Sequence, residues 1–495
     1  MARIVVVGAG VGGLATAARL AVTGHQVTVL ERADVVGGKL GRHTRDIPEG
    51  SFHFDTGPSL LTLPEVFHEL FEATGAKLDE YLDLVPLDPI VRHVFPGGGP
   101  VLDSCADPAE FTARIGAALG DRAAADWQRL WRRAARVWRA SEHDILRRRV
   151  DSPRDLTRLA WRLGDLAAIR PGQSLRGLGR AQLTDPRLRM LLDRYATYTG
   201  ADPRRAPAAL VAVPYAELAF GGWYLRGGLG SLADALLSRC LDLGVVVRTG
   251  AAVTRIDAAG GRVHGVRVAG QHAPIPADVV VANVDALTVY RDLLPDPRRL
   301  AGLTDRSLAG FVLLLGVRGN SGLAHHNVFF PRDYDAEFDA IFGAPGRGVR
   351  ARPATDPTVF VTVADDPTVR PTGHEAWFVL VNAARQGTAP GAVDWRRPGL
   401  AAAYADRILD VLAERGVDVR DRLLFRDIRT PADLATATGA PGGTIYGTAG
   451  GLLRPANRGP AHGLWLVGGS SHPGGGLPMV TLSAQIVATE IGPAW

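Results

Sequence analysis

Arg3-Ile4-Val5-Val6-Val7 runs into Gly8-Ala9-Gly10-Val11-Gly12-Gly13, then an alanine-rich segment, then Gln26-Val27-Thr28-Val29-Leu30-Glu31. The order is strand, glycine turn, helix, strand and terminal acid, which makes a complete dinucleotide-binding unit. Each part has a physical task. Gly8 permits the tight turn, Gly10 lets a pyrophosphate approach the backbone, and Gly13, with Gly12 beside it, lets helix and strand pack closely. The helix N-terminus offers unpaired N–H groups and the positive end of a dipole to phosphate. Glu31 closes the second strand, where a carboxylate accepts ribose hydroxyls and repels a 2′-phosphate. Gly24 is placed to end the helix.

The residues after Glu31 separate FAD from NAD. Arg32-Ala33-Asp34-Val35-Val36-Gly37-Gly38-Lys39 leads to Phe54-Asp55-Thr56-Gly57-Pro58-Ser59. An NAD domain has no need of a second glycine pair behind the ribose acid, whereas a longer cofactor returning across the sheet needs further close backbone contacts. These stretches resemble the GR2-type flavoproteins, which include amine oxidases, protoporphyrinogen oxidase and phytoene desaturases. Their usual Gly-Gly-Arg reads Gly37-Gly38-Lys39 here. Lysine keeps the charge and loses the planar fork, so a bidentate contact by that residue is not expected.

A chain of 495 residues exceeds a single core and implies two or three domains. Cys105 and Cys240 lie far apart in no metal or redox pattern, and the adjacent His325-His326 lack an acidic partner at helical spacing. No metal is expected. The first strand starts almost at once, leaving no room for a signal peptide, and the longest apolar run, Leu308 to Val317, is too short to span a bilayer. The expectation is a cytoplasmic protein. Lys39 and Lys77 are the only lysines, so the basic excess is carried by arginine; no nucleic-acid motif accompanies it.

From Ala123 to Val150 the pattern is helical. Trp127, Trp131, Ala134, Trp138 and Ile145 fall on one face, with Arg132, Arg133, Arg136 and Arg139 opposite. Two readings stand: a helix packed on its own domain, or a peripheral contact with the inner face of the cell membrane. Trp161, flanked by Arg158 and Arg162, belongs to a second helix of that region.

Farther on, Pro214 to Glu217 and Gly221-Gly222-Trp223-Tyr224-Leu225-Arg226-Gly227-Gly228 precede a helix and a strand at Val245 to Val247. Ala251 to Ile256 then passes Val253, where GR2-type proteins present backbone to adenine. Ala277 to Ala282 reads as a fully buried parallel strand ending in Asn283 and Asp285. Apolar segments at Phe311 to Gly316, Val359 to Val363 and Trp377 to Val381 imply a sheet that walls an apolar cavity. Leu464 to Gly469 is a last buried strand. Ser470-Ser471-His472-Pro473-Gly474-Gly475-Gly476-Leu477-Pro478-Met479 then opens a helix through Ile491, whose N-terminus faces the flavin.

Together these landmarks resemble the bacterial and fungal phytoene desaturase family. Further similar stretches are Asp356 to Val359, Pro371 to Glu375, Pro441-Gly442-Gly443-Thr444-Ile445-Tyr446-Gly447 and Leu453 to Arg458. The resemblance implies an α/β fold: a Rossmann-like FAD-binding domain from 1–105, 215–286 and 426–495, a helical subdomain at 106–214, and an inserted mixed-sheet substrate domain at 287–425. It implies FAD held by Gly8, Gly10, Gly12, Gly13, Glu31, Arg32, Gly37, Gly38, Lys39, Thr56, Gly57, Pro58, Ser59, Val253, Gly468, Gly469, Gly475, Gly476, Pro478 and Met479. It also implies an apolar polyene or polyprenoid substrate, dehydrogenated at a C–C bond by hydride transfer to flavin N5. Glu217, Trp223 and Tyr224 are candidates beside that substrate, and no catalytic residue is named. The alternatives are dehydrogenation of a non-carotenoid secondary-metabolite intermediate, carotenoid isomerisation or oxygenation, and a flavin-free binder of prenylated proteins like the GDP-dissociation inhibitors.

Overall fold

The structure, a computed structural model, describes residues 1–152, 154–155, 163–344, 346, 348–448 and 454–494. At its centre lies a five-stranded parallel sheet in the order Leu464–Leu466, Val279–Ala282, Arg3–Val7, Gln26–Leu30 and Val246–Arg248. Val5 sits between Val280 and Thr28, so the opening strand has a neighbour on each side and helices or sheet on both faces. That double burial is why it is apolar without alternation.

One face is covered by helices Val11–Val22, Ser231–Asp242 and Leu477–Ile491, through Leu14, Leu20, Leu232, Leu236, Ala484 and Val487. On the other face Ile256, Val263, Val266 and Tyr290 pack beneath Val5, Val280 and Leu464. The opening helix ends at a Thr23 cap with Gly24 just beyond it at φ +91°, as its position in sequence implies. The architecture is α/β with a flavoprotein-like nucleotide domain.

A seven-stranded sheet forms the second unit, in the order Leu423–Arg429, Ala309–Arg318, His374–Ala383, Val359–Val363, His326–Phe329, Val91–Val94 and Val101–Ser104. Helix Leu400–Glu414 covers one face over Phe311, Leu313 and Trp377. The opposite face packs Val312, Leu314 and Phe378 on Phe52 and Phe54 of a hairpin. Residues 91–104, assigned from sequence to the flavin-binding unit, belong to this sheet: Val328 pairs with His93, and His93 with Leu102. Two strands of four residues carry too little periodicity to reveal which sheet they join. The last strand of the sheet likewise crosses the expected boundary at 426.

Between these units lies a helical layer made of Pro108–Leu119, Asp121–Ser141, Leu163–Ile169, Leu175–Gln182, Pro186–Thr197 and Ala212–Phe220. Asp107 caps the first of these, accepting from the N–H groups of Ala109 and Glu110 at 2.8 and 3.0 Å. The tryptophan helix stops at Ser141 and passes into a wider turn at Glu142–Leu146, short of Val150. Its apolar face points inward: Trp127 is 2 % exposed and Trp138 6 %. Trp127 meets Phe111 edge-on at 5.4 Å, and Trp138 lies 5.5 Å from Phe220. Trp127 and Trp138 therefore pack on their own domain, the first of the two readings, while Trp131 is half-buried. Trp161, Arg158, Arg162 and Leu453 lie outside the described residues. Among the described residues no helix is long and apolar enough to cross a membrane.

Candidate cofactor and substrate site

The glycine turn lies at the carboxyl end of the opening strand, where open α/β sheets hold ligands. Gly8 has φ +99°, and a Cβ on Gly13 would stand 2.1 Å from the Gly8 carbonyl oxygen. The first N–H groups of the following helix have no intrahelical acceptor. Glu31 is buried and ties the turn together: its Oε2 accepts from Ala9 N at 2.7 Å and its Oε1 from Ala33 N at 2.9 Å. Each oxygen retains accepting capacity for a ribose hydroxyl.

The second glycine pair docks on the first. Gly37 N donates to Ala9 O at 2.9 Å, and a Cβ on Gly38 would lie 3.3 Å from Gly10 Cα. A Cβ on Gly57 would stand 2.0 Å from Lys39 O, and Thr56 N donates to Gly41 O at 2.8 Å. Across the turn a Cβ on Gly12 would be 3.4 Å from Gly468 Cα, while one on Gly469 would be 3.5 Å from Gly475 Cα. The backbone of 56–57, 37–39, 8–13, 468–469 and 475 thus forms one continuous cradle, with no room for a Cβ at Gly8, Gly13, Gly37, Gly57, Gly468 or Gly475. An extended diphosphate-bearing cofactor fits it, because the cradle offers N–H groups and a helix N-terminus.

Three side chains missed from sequence hold this cradle. Asn283 Nδ2 donates to Val467 O at 3.1 Å, and its amide lies beside Gly10, Gly12, Gly13 and Gly468. Its place at the end of a buried parallel strand was the available signal. Asn457 Nδ2 donates to Leu466 O, His472 O and Ser483 Oγ, fixing the C-terminal loop. Asp55 accepts from Leu229 N at 2.6 Å and Gly230 N at 2.8 Å, which joins the Phe54–Ser59 stretch to the Gly222–Gly228 stretch. Burial pushes its carboxyl up to about 6.

The cations expected at the cofactor lie elsewhere. Lys39 Nζ donates to Thr444 O at 3.0 Å and Ile445 O at 2.5 Å, and burial lowers it to about 8. Beside it Arg306 pairs with Asp285 at 2.7 Å, both deeply buried. Arg32 donates to the carbonyls of Thr436 and Ala437 at the end of helix Pro431–Thr438, where the dipole favours a cation. Both side chains brace loops, and only their backbones remain beside the cradle. Ser59 Oγ shares a hydrogen bond with Thr362 Oγ1 at 3.0 Å, Pro58 is exposed, and Val253 opens an antiparallel strand. Gly476 is exposed, Pro478 lies in the first turn of the last helix, and Met479 is half-buried.

The three substrate candidates do not gather at one point. Trp223 Nε1 donates to Phe220 O at 3.0 Å, and Tyr224 OH to Asp366 at 2.9 Å. Glu217 lies in the helical layer, accepting from Tyr195 OH at 2.7 Å and Tyr198 OH at 2.8 Å. Half-buried apolar side chains gather in two other places. Met479 packs with Tyr215, Phe220 and Leu146 around Trp138, and Phe360 and Leu380 line the sheet, with Ile445 beside Leu380 at Gly310. His326 is buried and His325 half-buried; desolvation lowers His325 to about 4 and His326 further, so both are neutral. The described residues contain no metal-holding cluster.

Residues 11–309 match the model of the flavin containing amine oxidoreductases. Over 99 % of its length the chain is 32 % identical to a 4,4′-diapolycopene oxygenase from Methylomonas sp, covering 98 % of that protein. It is 34 % identical, also over 99 % of its length, to a hydroxyneurosporene desaturase from Cereibacter sphaeroides, covering 97 % of it. An oxidoreductase from Methanosarcina mazei shares the fold with a TM-score of 0.65 at 18 % identity, over 98 % of this chain and 100 % of the other. The cradle, the family match and the full-length likeness to carotenoid-modifying enzymes converge: this chain belongs to the flavin-containing amine oxidoreductase family and is an FAD-dependent oxidoreductase.

Proposed function

We propose that the enzyme dehydrogenates a C–C bond adjoining a carotenoid-like polyene, lengthening the conjugated system by one double bond. The single observation that carries this reading is the half-buried aromatic wall of Trp131, Tyr215 and Phe220, which meets Met479 in the first turn of the last helix. FAD held by the cradle would supply the two-electron acceptor for the hydride and proton removed from the substrate. The chain itself holds the target bond and excludes water. Rings tilted at 4.7 Å and edge-on at 6.4 Å offer apolar surface to a rigid polyene, and each Å² removed from water contributes about 25 cal/mol. Phe360, Leu380 and Ile445 add half-buried apolar surface on the sheet. Such a shell disfavours water where positive charge develops on the substrate, which favours its delocalisation into the polyene. A substrate of this kind resides in lipid, so the reading includes transient contact with a membrane surface by a face other than the tryptophan helix.

Anaerobic mixing of the yellow holoenzyme with acyclic polyenes tests the reading. Bleaching of the flavin, with a product two hydrogens lighter and absorbing at longer wavelength, is the expected result. A flavin that stays oxidised with every polyene sinks it.

A further inference from the structure

An open cleft of about 320 Å³ lies on the helical layer, apart from the cofactor cradle and from the apolar surfaces described above. Its walls include Arg122, Asp126 and Arg129 of helix Asp121–Ser141, Arg180 and Gln182 of helix Leu175–Gln182, and Thr184 just beyond. Arg122 and Arg129 stand two turns apart and so share one side of their helix, while Trp131 and Trp138 occupy the opposite side. Charged and polar walls do not suit a hydrocarbon, so this cleft has no part in holding the polyene.

Asp126 joins the two helices that form the cleft. It is 1 % exposed, and its Oδ2 accepts from Thr184 N at 2.8 Å and from Thr184 Oγ1 at 2.6 Å. Its Oδ1 accepts from Arg129 Nη2, which neutralises one of the three cations. Arg122 and Arg180 are exposed, and among the described residues neither has a hydrogen bond or an ion pair. The other acids of this region are engaged or turned away. Asp193, whose charge Arg180 senses, pairs with Arg176 at 2.5 Å, and Asp121 lies beside Gly116 of the preceding helix. Gln182 adds a separate demand: its Oε1 is buried and has no donor among the described residues.

Two unpaired guanidiniums flanking a cleft attract an anion, and the planar fork of arginine matches phosphate oxygens with paired N–H donors. A buried amide oxygen without a donor costs stability, which a hydroxyl on a guest relieves. One kind of molecule meets both demands. We propose that the cleft binds a small phosphorylated polyol, with its phosphate held by Arg122 and Arg180 and a hydroxyl donating to Gln182 Oε1. Glycerol phosphate has this chemistry, either free or as the headgroup of phosphatidylglycerol. Its binding reinforces the bridge that Asp126 makes between the two helices.

Glycerol phosphate titrated calorimetrically into the holoenzyme at low salt, with inorganic phosphate alongside, tests the assignment. The expected result is saturable binding, tighter than that of inorganic phosphate by about threefold to tenfold, the worth of one neutral hydrogen bond. Gln182→Leu should erase that margin, and Arg122→Gln combined with Arg180→Gln should weaken glycerol phosphate by about tenfold or more. Both arginines are exposed, so the variant retains its fold; Arg136→Gln, exposed on the same side of the helix but outside the cleft, should change nothing. Flotation with phosphatidylcholine vesicles, with and without phosphatidylglycerol, separates the two sources. Flotation that requires phosphatidylglycerol and is lost in the double arginine variant identifies the lipid headgroup, whereas soluble binding without flotation identifies the free compound. Either result supports the site. Binding from neither source, an affinity no better than that of inorganic phosphate, or binding that survives the arginine changes overturns it and leaves a solvated basic surface. None of these measurements involves flavin reduction, so the result is independent of the dehydrogenation reading.

Discussion

Asp55 is held between two opposing demands. Burial favours its neutral form, while the N–H groups of Leu229 and Gly230 favour the carboxylate. Burial prevails, and the folded value is about 6 against an ordinary 3.8. The native state therefore takes up a proton in a range where the unfolded chain has already lost it. Stability falls as pH rises through that window and levels off above it. Urea unfolding of the holoenzyme across the window should show the slope, and Asp55→Asn should reduce it by roughly 2–3 kcal/mol over its span. Asp193 and Glu337, both pushed by burial to about 7, add slopes of the same sign, so the difference between the two proteins carries the assignment. An unchanged profile in the variant would show that Asp55 does not titrate there. Its pairing with the Gly228–Gly230 turn was not legible in the sequence, because 174 residues separate the carboxylate from Leu229. Asn283 showed its place at a strand end but not its partner Val467, 184 residues away, whereas the glycines around it were legible because local backbone demands select them.

The elements divide by how much they signal locally. The strands Arg3–Val7 and Val279–Ala282 are buried on both faces and stand out as continuous apolar runs. The helix Asp121–Ser141 also announced its amphipathic face, but not what would cover it. Trp127 packs in the helical core and Trp138 against Phe220 and Leu63, so the face is internal. Trp138→Ala should accordingly destabilise the protein by about 3–5 kcal/mol and leave binding to anionic vesicles unaltered. Denaturant unfolding and vesicle flotation measure the two effects. Lost flotation at full stability would restore the membrane reading. The arginine side of this helix has internal duties too: Arg133 donates to Ala168 O at 2.8 Å from Nε.

At the scale of the molecule, the cofactor cradle draws on segments from both ends and the middle of the chain, so FAD works as a ligand-dependent brace. Stripping FAD should lower the unfolding midpoint. Titrating it back should restore stability as the logarithm of its concentration, by about 2.7 kcal/mol at a hundredfold excess over Kd. Apoprotein melting that ignores added FAD would mean the cradle binds something else. The sheet order carries one more consequence, for synthesis. Leu464–Leu466 is an edge strand beside Val279–Ala282, and the helix after it lies against Val11–Val22. A nascent polypeptide still attached to the ribosome has made its Gly8–Gly13 turn early but cannot close it. Pigmentation must therefore await release of the tail, and any chain arrested before that strand should emerge colourless.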